Sequence, residues 1–105
     1  MNNMTGLSQE TLSYIEGILR QALKNKSCYS VSIFGSRVKN KFRQYSDLDL
    51  WLESSPSMTP SEISNLRIQF EESQLAIKVD IVTLESCLPE YIEQIQSEKK
   101  LWFDS

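Results

Sequence analysis

Hydrophobic and polar residues alternate along this chain with two different periods. After Ser8, Leu12, Ile15, Leu19, Ala22 and Leu23 recur at helical spacing, so Ser8 to about Lys24 reads as an amphipathic helix with Ser8 as its N-cap. The period then drops to two. "CYSVSIF" puts Val31 and Ile33 on one face and stops at Gly35, which predicts a strand and a turn. "DLDLWLE" alternates more cleanly still: Leu48, Leu50 and Leu52 point one way, and Asp47, Asp49, Trp51 and Glu53 the other.

Thr59-Pro60-Ser61-Glu62 combines an N-cap threonine, a proline at the first helical position and a glutamate three residues on. It is a capping box opening a helix striped by Ile63, Leu66 and Phe70. "AIKVDIV" predicts a third strand with Ile77, Val79 and Ile81 on one face and Lys78, Asp80 and Val82 on the other. Pro89 can open a last helix carrying Leu88, Ile92 and Ile95, and the "LWF" tail adds a short edge strand. This order predicts an α+β fold of two layers, a short sheet with helices packed on its leucine face. The other face stays at least partly open and carries the carboxylates. Residues 1–105 are expected to form one domain, too small to hold a separate substrate domain, so action on a large substrate needs a surface or a second chain.

Composition narrows the chemistry. A net charge of −3 argues against a generic nucleic-acid binder, and no direct nucleic-acid binding is expected. Yet Arg37, Lys39, Lys41 and Arg43 concentrate four of the eleven Lys and Arg between the Gly-Ser turn and the acidic strand. With no histidine, a Ser-His-Asp triad, a Cys-His pair and most zinc sites are excluded. Cys28 and Cys87 are too few for a Cys-only zinc site and read as free thiols of a reducing compartment. The polar start lacks the pattern of a signal peptide and no apolar run reaches membrane-spanning length. The expectation is a cytoplasmic protein without a membrane partner.

Asp47 and Asp49, two apart on a strand, share a face with bases roughly 6 to 7 Å apart, and Asp80 stands on the acidic side of another strand. Carboxylates so gathered repel one another unless cations intervene. Hard oxygen donors suit Mg²⁺ or Mn²⁺, and two such ions about 3.5 to 4 Å apart can activate an attacking oxygen and stabilise a leaving pyrophosphate. Gly35 lets backbone approach a phosphate, Ser36 and nearby amides can donate to it, and the Arg37 fork can hold its oxygens. The basic loop and the acidic strand then serve one ligand, a metal-nucleotide complex. A Walker-type phosphate loop fails at Asn40 and Phe42. Trp51 could stack a base or serve packing or an interface, and Ser46 reads at this level as a turn residue. Trp51 and the "LWF" tail together suggest exposed aromatic surface of the kind that anchors a partner.

Gly35-Ser36-Arg37-Val38-Lys39-Asn40, Ser46-Asp47-Leu48-Asp49-Leu50 and Val79-Asp80-Ile81-Val82 together resemble the DNA polymerase β-like nucleotidyltransferase superfamily, especially its minimal nucleotidyltransferases. The family pattern runs G-S-R-A-x-G, a short spacer, S-D-x-D-L and a V-D-[IL]-V strand, and Asn40 replaces its second glycine. Asparagine tolerates a left-handed backbone better than other non-glycine residues. The resemblance implies a polymerase β-like fold with a mixed sheet. It implies that Gly35 and Ser36 hold nucleotide phosphates with help from Arg37 and Ser46. Asp47 and Asp49 would bind two Mg²⁺ ions, and Asp80 would ligate the second and help deprotonate the acceptor.

The implied reaction is transfer of AMP from ATP to a hydroxyl, foremost a tyrosine of a helical HEPN toxin with which such an antitoxin forms a hetero-oligomer. The alternatives are a non-catalytic antitoxin that inhibits by binding alone and a small-molecule nucleotidyltransferase of the antibiotic-modifying type.

Overall fold

The computed structural model describes residues 5–39, 43 and 45–105; Asn40, Lys41 and Phe42 lie outside them, and with them the Asn40 substitution. The first helix, α1, spans Gln9–Leu23, and the Ser8 hydroxyl accepts the Thr11 amide at 3.1 Å as an N-cap. It leads into strands β1 (Cys28–Phe34) and β2 (Leu48–Ser55). Helix α2 (Pro60–Glu71) opens on the full capping box: Glu62 N donates to Thr59 Oγ1 at 3.1 Å, and Thr59 N to Glu62 Oε1 at 2.8 Å. The same Glu62 oxygen receives Lys26 Nζ at 2.9 Å, tying the α1–β1 connection to α2. Strand β3 (Val79–Thr83), helix α3 (Pro89–Glu98) and strand β4 (Lys100–Asp104) complete the order.

The α+β fold expected from the sequence is present, with four strands in the order β3-β2-β1-β4. β1 runs antiparallel to both β2 and β4, and β2 runs parallel to β3, so the sheet is mixed. Leu48, Leu50 and Leu52 sink into the main core with Val31, Ile33, Val79 and Ile81, against Leu12, Ile15, Leu19 and Leu23 of α1 and Ile63, Leu66 and Phe70 of α2. Burying that stripe is the main favourable term in folding.

The opposite face is less open than the alternation suggests. Trp51, on the acidic side of β2, is 1 % exposed and stands outside the main core, as does buried Ile95 of α3. Its indole N–H donates to Glu53 at 2.9 Å, Lys99 at the end of α3 reaches the same carboxylate at 2.7 Å, and the lysine nitrogen sits 5.9 Å from the indole centre. Trp51 therefore packs, with Lys99 at the end of α3 beside it, and is not part of the exposed aromatic surface that the sequence suggests. In the tail, Phe103 is buried and Trp102 half-buried, leaving Leu101 as its exposed apolar residue. No helix among the described residues is long and apolar enough to cross a membrane.

Candidate functional site

Parallel pairing of β2 with β3 sets Asp49 directly opposite Asp80. Antiparallel pairing of β1 with β2 sets Phe34 opposite Asp49, so the Gly35 turn lies beside the same carboxylate. Gly35 has φ +81°, and a Cβ built on it would overlap Asp49 Oδ2 and lie 3.1 Å from its Cγ. Glycine is thus required twice, for the left-handed backbone and for the space. Val38 N and Lys39 N both return to Gly35 O at 3.2 Å, closing the turn tightly.

Burial pushes the Asp49 carboxyl up to about 6, helped by the charge of Asp80, by a hydrogen bond shared with Asp80 and by the charge of Asp47. Lys78 opposes this, and its ammonium lies 3.5 Å from Asp80 Oδ1. Two carboxyl groups held this close share a proton or need a cation between them. Asp47 precedes β2 and is exposed. Its charge reaches Asp49, but among the described residues no three acidic or thiol side chains form a group that could hold one ion. The structure thus joins two of the three expected carboxylates and leaves the third at the rim. Asp49 and Asp80 offer paired hard oxygens on the wall of one cleft, which fits a small divalent cation that takes few protein carboxylates.

Arg37 is placed differently from the expectation. Its guanidinium is 1 % exposed and donates through Nε and Nη2 to Ser46 O at 3.1 and 2.8 Å, and through Nη1 to Thr5 O at 2.7 Å. Burial lowers its pKa, and the charge of Asp47 offsets that effect. The residue fastens the chain just before Asp47 instead of reaching outward for phosphate. Ser46 is engaged likewise: its hydroxyl accepts the Arg43 amide at 2.7 Å. The fork geometry of arginine, suited to two-point contacts, explains the type of residue at this position.

Around the carboxyl pair opens a cleft of about 970 Å³. Gly35, Lys39 and Asp49 line it, with Lys78 just before β3, Asp80 in β3, and Tyr91 and Glu98 from α3. Lys39 Nζ pairs with Glu98 at 2.8 Å and so joins the turn to the end of α3. Sequence reasoning missed the α3 wall, since nothing in "PEYIEQIQSE" announces chemistry; the proline start and the short connection from the Asp80 strand were the available signals.

Residues 16–105 match the family described as "Polymerase beta, Nucleotidyltransferase". The chain belongs to this family. A relative from Methanocaldococcus jannaschii, named "Putative protein adenylyltransferase MJ1379", is 32% identical over 98 residues, 89% of this chain and 98% of that protein. The Haemophilus influenzae protein named "Probable protein adenylyltransferase MntA" is 37% identical over 76 residues, 72% of this chain; the match spans 64% of that relative's length. Among solved structures, one described as a "putative minimal nucleotidyltransferase" superposes with a TM-score of 0.65 at 28% identity, covering 91% of this chain and 97% of that one. A chain from a toxin-antitoxin structure with AMP-PNP gives 0.63 at 21% identity, covering 83% and 72%, a likeness of fold.

Proposed function

We propose that this chain is a metal-dependent nucleotidyltransferase that moves AMP from ATP onto a hydroxyl of a partner protein, acting in the cytoplasm as the antitoxin of a toxin-antitoxin pair. The observation that carries the reading is the Asp49–Asp80 pair beneath the Gly35 turn, in a chain of this family. The names of the two relatives support a protein as acceptor, and the toxin-antitoxin neighbour supports a toxin as partner. A tyrosine of a helical HEPN-type chain is the acceptor this reading assigns.

Asp49 and Asp80 are the residues that would hold Mg²⁺ or Mn²⁺, with Asp47 adding an oxygen from the rim. Such ions, when bound, neutralise phosphate charge and stabilise the leaving pyrophosphate. In this reading Gly35, which lines the cleft, and Ser36 after it let backbone approach the triphosphate closely. Asp80 is the general base of this scheme, accepting the acceptor's proton as its oxygen attacks the α-phosphate in line and the bond to pyrophosphate breaks. Arg37 and Ser46 act at one remove, setting where Asp47 stands.

Co-expression with the neighbouring gene product, followed by incubation with ATP and Mg²⁺ and intact mass measurement, tests the reading. The partner should gain the mass of AMP. A partner that binds stably and gains none would favour inhibition by complex formation. Two chains that elute separately with no mass gain would point to a small-molecule acceptor.

A further inference from the structure

The cleft is chemically divided along its length. At one end stand Gly35, Lys39, Asp49, Lys78 and Asp80, and Glu98 closes that end through its bond to Lys39. Tyr91 lies seven residues before Glu98 on α3, and a helix rises about 1.5 Å per residue, so it stands roughly 10 Å from the charged end. Val82 follows Asp80 by two positions on the same face of β3, roughly 6 to 7 Å farther along the strand. Val82, Leu88 and Tyr91 thus form an apolar wall at the end away from the carboxyl pair. Leu88 and Tyr91 are 58 % and 52 % exposed, so both keep surface for a ligand.

Among the described residues, two polar side-chain groups near this wall are already engaged. The Ser86 hydroxyl bonds the Thr83 amide at 2.9 Å and the Thr83 hydroxyl at 3.1 Å, and the Gln94 amide nitrogen donates to Glu98 at 3.0 Å. A nucleotide has the same division, a charged phosphate end and a flat apolar base, separated by a sugar. We infer that Tyr91, backed by Leu88 and Val82, is the shelf on which the nucleobase stacks, and that this shelf holds the base without reading its edge. The inference rests on the proposed nucleotide reaction and names the class this shelf admits: nucleoside triphosphates, ATP among them, with little preference among bases at the binding step. Every base has a π-face, so stacking alone is tolerant. Strong discrimination needs polar groups that a wrong base would leave unpaired, and the Ser86 hydroxyl and the Gln94 amide nitrogen are committed elsewhere.

Titration of the chain alone with ATP, GTP, CTP and UTP in Mg²⁺, read by calorimetry, tests this without an acceptor. The four affinities are expected to fall within about tenfold of one another. Tyr91→Ala should weaken all four by a similar factor, roughly 5- to 100-fold, while Tyr91→Phe, which keeps the ring, binds as wild type. Tyr91→Leu, which keeps apolar bulk without the ring, should resemble the alanine variant and replaces it should alanine unfold the chain. Wild-type affinity in the ring-less variants overturns the shelf, as does absence of binding by all four nucleotides. A preference above about 100-fold for one base overturns the tolerance. A chain that binds in the expected way yet modifies no partner contradicts the proposed transfer and leaves the shelf standing.

Discussion

Asp49 and Asp80 face each other across the parallel β2–β3 pair and share a hydrogen bond, with the Asp49 carboxyl pushed up to about 6 from an ordinary 3.8. Because the folded value is the higher one, the folded chain keeps a proton that the unfolded chain has released between about pH 4 and 6. Stability from this group is fully present below pH 4 and is lost as pH rises through 6. After discounting for solvent screening, the loss is about 1–2 kcal/mol. Glu53, Glu62 and Glu98, whose carboxyls are held below their ordinary value, run the other way. The difference between wild type and Asp49→Asn in metal-free urea unfolding isolates the Asp49 contribution. The variant should gain on wild type between pH 4 and 7; a pH-independent difference would show that burial and Asp80 do not raise the Asp49 carboxyl.

Gly35→Ala should cost about 1–3 kcal/mol, since a side chain there meets both a positive φ and the Asp49 carboxylate. Transfer activity should fall further than stability, because the displaced group is Asp49 itself. Melting temperature and transfer rate measured together check this, and an active, stable variant would refute the close approach.

Arg37→Lys keeps the charge but loses the two-pronged contact with Ser46 O. The expected cost is about 1–3 kcal/mol in chemical denaturation, with transfer slowed roughly 10- to 100-fold as Asp47 drifts. The affinity for ATP should stay close to wild type. A large loss of ATP affinity with unchanged stability would instead put Arg37 at the phosphates.

ATP should raise the melting temperature when Mg²⁺ or Mn²⁺ is present and leave it nearly unchanged in EDTA, because a carboxyl pair repels a bare triphosphate. Equal stabilisation in EDTA would separate nucleotide binding from the metals.

Much of this architecture is legible in the chain itself. Ser8 and the Thr59–Glu62 box mark helix starts because short polar side chains there satisfy amides that local geometry leaves free. Leucine alternation assigns the buried face of β2 for an equally local reason. Alternation says which side Trp51 is on but not what lies against it there, and Lys99 at the end of α3, far along the chain, is one of its neighbours. Arg37 shows the same limit: sequence gives a charge, whereas its destination depends on the carbonyls of Thr5 and Ser46, one well before it and one after it in the chain. Asp49 and Asp80 were readable as candidates, but their opposition depends on strand register, which no local pattern carries.

The most direct measurement is the single-turnover rate of AMP transfer to the partner by wild type, Asp49→Asn and Asp80→Asn, each checked by its melting curve to be folded at the assay temperature. The account predicts that either substitution lowers the rate by about 10³-fold or more while the chain stays folded and partner-bound. Transfer at the wild-type rate by a folded Asp49→Asn or Asp80→Asn protein would contradict it.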